Sequence, residues 1–191
     1  KMSRVKRKKQ RKHWKYSKKF SREPALVGYI FLAVLLVFTM ISKNPLLLFL
    51  MVTLFCSIIN YQTNITTVRI NPEPELFFSL LLTRVIGLKY SLIMLLIPTL
   101  FIDIYTARLD KDTFVSFILT IIINHIMYIF PTFNFVILGV TLVSIKFIAG
   151  LMINMAMNIS IQEIFFEHII GFVINLLTFL AFGNIILNLF I

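Results

Sequence analysis

Residues 1–22 read KMSRVKRKKQRKHWKYSKKFSR, and after Glu23 and Pro24 the chain continues ALVGYIFLAVLLVFTMI over Ala25–Ile41. This junction decides the fold class. Twelve of the nineteen Lys and Arg lie before it, and the remaining 169 residues carry seven basic and eight acidic groups. The formal charge of +11 therefore belongs to the tail. A dense positive block beside a hydrophobic run is retained on the cytoplasmic side during insertion. The sequence thus predicts a multi-pass protein of the cell membrane with a cytoplasmic N-terminus. The tail and first run together read as a signal anchor that stays attached, because no small-residue cleavage site follows and more apolar runs come after.

Composition points the same way. Apolar residues make up 59% of the chain, against roughly 45–50% in soluble domains, and the mean hydropathy is +0.91. There are twenty Phe but only six Gly. The single Cys56 excludes an intrachain disulfide and a multi-Cys metal site; it reads as a small apolar residue in a span. Two parts follow: a basic tail over 1–23, disordered or interfacial, and an all-α transmembrane bundle over 24–191.

About 20 helical residues cross the hydrocarbon core. Ala25–Ile41 ends at Ser42-Lys43-Asn44-Pro45, and Leu46–Asn60 follows as the second arm of a tight hairpin. Tyr61–Pro74 reads as a polar loop. Glu75–Gly87 is then too short to cross unaided, so it is either re-entrant or a thin span shielded by neighbours. Leu88–Thr106 contains Pro98 as a kink. Thr113–Phe130 is capped by Asp112 or Thr113, and Phe133–Met157 and Ile164–Ile191 complete the bundle. A crossing at Glu75–Gly87 gives seven spans, with Arg69, Arg108 and Lys111 inside; a re-entrant segment gives six. The positive-inside rule leans toward seven.

No phosphate-binding loop, GxSxG, HExxH or CxxC motif occurs. The sequence therefore predicts no catalytic residue, cofactor or metal. Charged groups inside hydrocarbon each ask for a reason, and four are candidate ligand contacts. Lys146 lies too deep in its run to snorkel. Asp103 is either an interfacial partner of Arg108 or a buried partner of Arg84 or Lys146. Arg84 and Lys89 flank Gly87. An enzymatic alternative needs Glu163, Glu167, His168 and His125 to converge on one ion. Asn154, Asn175, Asn184 and Asn188 read as interhelical polar glue. In the tail, Lys6, Arg7, Lys8, Lys9, Arg11, Lys12, Lys15, Lys18 and Lys19 are placed to bind anionic lipid head groups. The same charges also suit RNA, without sequence preference.

The stretch INPEPELFFSLLLTRVIGLKYSLIMLLIPTLFIDIYT (Ile70–Thr106) resembles, in layout, the substrate-binding S components of ECF vitamin transporters and the similar cell-shape protein MreD. Both have a short helix after an extended loop, then a tight turn, then a span ending near an acidic residue. Ile86–Lys89 stands at that turn, without its proline, and Asp103 near that acidic position. The resemblance implies a non-enzymatic membrane protein. It either binds a small solute near the Tyr61–Pro74 loop or, as MreD does, scaffolds other membrane or envelope proteins.

Overall fold

The helix that starts at Pro45 does not stop where polar residues begin. The computed structural model describes residues 39, 42–65, 72–109, 111–157 and 161–190, with the side chains of 161–167 excepted. In it α1 runs Pro45–Ile65. Asn44 Oδ1 accepts from the Leu46 amide at 2.9 Å, and Pro45 takes the first helical position, where its missing N–H costs nothing. The loop expected over Tyr61–Pro74 is therefore shorter, and the reason is a set of polar partners. Asn60 donates to the Pro98 carbonyl at 3.1 Å, and Thr63 bonds back to the Asn60 carbonyl at 2.9 Å. Asn64 donates to Asp103 at 2.6 Å and to Thr106 at 3.0 Å.

The short segment becomes α2, Pro74–Val85, with proline in its first turn. Its twelve residues reach about 18 Å. It ends where the Ile86 and Gly87 amides both bond the Leu82 carbonyl. Gly87 then takes φ 117°, a value that costs glycine little. The next helix, α3, spans Leu88–Tyr105. Pro98 has no N–H to give the helical ladder, and the chain widens around it into a π-helical stretch, Leu96–Phe101. After it come α4 (Lys111–Ile129), α5 (Phe135–Ala156) and α6 (Ile161–Phe190). Asn134 caps α5 by accepting from the Val136 and Ile137 amides at 3.0 and 3.1 Å. No strand occurs among the described residues.

Five of these helices (α1, α3, α4, α5 and α6 from His168) are long and apolar enough to cross a membrane. Their outward faces expose Ile122, Ile137, Ile148, Met152, Leu177 and Ile185. A bundle in water turns such a stripe inward; a bundle in lipid leaves it outside. The architecture is an all-α bundle compatible with a multi-pass integral membrane protein. The basic tail and the run Ala25–Ile41, apart from Thr39, lie outside the described residues.

The short α2 is the axis of the bundle and packs against each of the other five helices. Eight of its twelve residues are buried. Leu76, Phe77, Leu80 and Leu81 meet Phe135, Leu142 and Phe179, and Leu82 joins Leu48, Val52, Met94 and Leu95. Phe77 stands edge-on to Phe179 at 4.8 Å. Gly139 lets α5 and α6 close on each other, since a Cβ there would lie 2.1 Å from the Phe179 ring. Lipid tails are as apolar as these side chains, so close packing and interhelical hydrogen bonds hold the bundle.

One polar joint is fully closed. Buried Asn124 on α4 accepts from Thr83 at 2.7 Å and Ser91 at 2.8 Å. Its amide donates to Ser79 at 3.0 Å and to the Thr120 carbonyl at 2.8 Å. It ties α2, α3 and α4 together with every polar atom of its side chain in use.

Candidate functional site: a charge-balanced cleft

The site begins at Pro72-Glu73-Pro74. Proline disfavours the right-handed helical region for the residue before it, and Glu73 takes φ 44°, ψ 51°. That left-handed backbone is uncommon for a residue other than Gly, Asn or Asp, and the surroundings must hold it. Asn175 on α6 does so by donating to the Pro72 and Glu73 carbonyls, both at 3.2 Å. The Glu73 carboxylate then meets Lys146 Nζ at 2.5 Å and accepts from Ser116 at 3.0 Å. Lys146 is the twelfth of twenty-two residues in α5. A lone ammonium at that depth is costly, and the carboxylate offsets the cost.

A second pair lies two helical turns along the same face of α5. Lys146, Gly150 and Asn154 are spaced i, i+4, i+8, so they share that face. Asn154 donates to Asp112 in the first turn of α4. His168 Nε2 on α6 lies 3.0 Å from Asp112 and 3.0 Å from Asn154 Nδ2. Asn154 Oδ1 is buried without a partner. Together Glu73, Ser116, Lys146, Asp112, Asn154 and His168 line one cleft. Phe147 and Phe172 flank it, stacked at 4.6 Å. Its cavity volume is about 20 Å³, room for about one water and far below the ~300–1,000 Å³ of small-molecule pockets. The arrangement offers two acid–base pairs, a hydroxyl and one unfilled acceptor on four separate elements.

The four expected ligand contacts fall in three places. Lys146 is in the cleft. Asp103 is buried at the end of α3, held by Asn64. Arg84 is at the far end of α2, where it donates to the carbonyls of Phe130 (3.2 Å), Pro131 and Phe133 (2.5 Å) and so ties down the α4–α5 turn. Lys89 is exposed in the first turn of α3. His125 is exposed on α4, thirteen residues beyond Asp112, about 20 Å along the helix. That separates it from His168, which touches Asp112. The side chains of Glu163 and Glu167, and the whole set of tail cations, lie outside the described residues.

Sequence reasoning missed Glu73, Asp112, Ser116 and His168 as members of one site. Glu73 reads as a favourable helix-start charge, and Asp112 as a cap. The i, i+4, i+8 spacing of Lys146, Gly150 and Asn154 is the one sequence signal that links two members of the site, and it went unread. A scan against protein-family models, a search of curated proteins and a search of solved structures found no match.

Proposed function

We propose that this chain is a transport-associated, solute-binding protein of the cell membrane, with the layout of an S component and its site in the cleft around Lys146. The observation that carries the reading is the Lys146–Glu73 pair, set mid-helix and lining a cavity with a second acid–base pair and an unfilled acceptor. A zwitterionic solute matches these groups. Its carboxylate exchanges for Glu73 at Lys146, and its ammonium goes to Glu73, Asp112 and Asn154 Oδ1. The internal pairs are then the empty state, and binding requires the cleft to widen around the Phe147–Phe172 stack. In this reading α2 crosses the bilayer as a thin span shielded by its neighbours. That makes seven spans counting Ala25–Ile41, with the tail in the cytoplasm on anionic lipid.

The test is a thermal-shift panel on the protein in nanodiscs, comparing free amino acids with neutral sugars. The expected result is stabilisation by at least one zwitterion, lost in Lys146→Met. A panel with no response sinks the reading. A second reading is favoured by the small cavity and its self-satisfied pairs: an MreD-like scaffold whose cleft is purely structural. There the panel is silent, and the charge-free double variant Glu73→Gln/Lys146→Met still assembles with its membrane partners.

A further inference from the structure

Glu75, two residues beyond Glu73, is 7% exposed, and its Oε2 has no hydrogen-bond partner. Asn60 on α1 stands within hydrogen-bonding reach of this carboxyl. Its Nδ2 donates to the Pro98 carbonyl, while its Oδ1 is buried and unpartnered. Thr99, next to Pro98 in the π-helical stretch, is equally buried, and its Oγ1 also lacks a partner. Buried polar atoms without partners are rare, and π-helical turns often mark functional sites. All three of these atoms are oxygens, the chemistry that suits a hard cation or a proton.

The charge balance asks for the same thing. Glu73 and Lys146 lie within electrostatic reach of Glu75, but the ammonium is already engaged by Glu73 at 2.5 Å. The Cys56 thiol on α1 also lies close to Glu75. From α4 and α6, Ser116 and His168 act on Glu73. Two carboxylates therefore share one lysine inside an apolar bundle, and an uncompensated buried charge is strongly destabilising.

We propose that Glu75, Asn60 and Thr99 form a monovalent-cation site, filled either by a proton on Glu75 or by an alkali ion shared among the three oxygens. The site is distinct from the cleft and does not rest on the solute reading; only ions are added in its test. The unfolding temperature of the full chain in nanodiscs is followed from acid to alkaline pH in choline, potassium and sodium chloride. In choline the wild type is expected to lose several degrees as pH rises. Recovery by sodium or potassium at alkaline pH identifies an alkali ion, and its absence identifies the proton. Glu75→Gln removes both responses. Thr99→Val weakens an alkali-ion response several-fold and leaves the pH response intact. Should Glu75→Gln fail to fold, Glu75→Asp takes its place and is read as a displaced pH midpoint. Profiles of the Glu75 variant that superimpose on the wild type in every salt and at every pH overturn the proposal.

Discussion

Lys146 Nζ stands 2.5 Å from Glu73 Oε2, joining the middle of one membrane helix to the cap of another 73 residues earlier in the chain. Neither charge is tolerable there alone. Lys146→Met or Glu73→Gln, made singly, is expected to cost about 3–5 kcal/mol, because each strands the other charge. The double variant recovers most of that loss. Reversible unfolding in mixed micelles, run as a double-mutant cycle, measures the coupling; additive single effects would contradict it.

Gly139 sets how closely α5 and α6 approach. Adding a methyl group there collides with the Phe179 ring, so Gly139→Ala is expected to cost about 1–3 kcal/mol as overpacking. Phe179→Leu in the same chain restores part of it. The same unfolding measurement reads both, and a neutral Gly139→Ala would show that the crossing relaxes freely.

Asn124 joins three helices through three interhelical hydrogen bonds, to Thr83, Ser91 and Ser79. Asn124→Leu leaves Ser79, Thr83 and Ser91 to find other partners, at an expected cost of about 1–2 kcal/mol. Its signature is local: hydrogen exchange speeds up in α2 and α3 near those residues before it does in α6.

Arg84 gives its guanidinium to backbone carbonyls at the α4–α5 turn. Arg84→Gln is expected to raise exchange and proteolysis across residues 130–134 while leaving the cleft pairs intact. Loss of the solute response in this variant would show that the turn and the cleft move together.

Helix positions were legible because hydrophobic run length carries them: α3, α4, α5 and α6 each lie within a few residues of the expected runs. The end of α1 was not. Tyr61–Ile65 looks like loop until Asn60, Thr63 and Asn64 acquire partners, and those partners are mostly in α3, some forty residues away. The site was half legible for the same reason. Lys146 announces itself as a charge in an apolar run, and it needs a carboxylate. Which carboxylate depends on the left-handed turn at Glu73 and on Asn175 a hundred residues later, neither of which has a local signature.

The enclosure of α2 bears on how the protein is made. A twelve-residue segment is too short to be recognised as a span when it leaves the ribosome. In the seven-span reading its flanking neighbours α1 and α3 enter the bilayer first and draw it after them. The groove that receives Phe77 is complete only once α5 and α6 have been synthesised, since Phe135 and Phe179 form its wall. The centre of this protein is thus the last part to settle, and a chain cut short before α6 leaves that centre without a home.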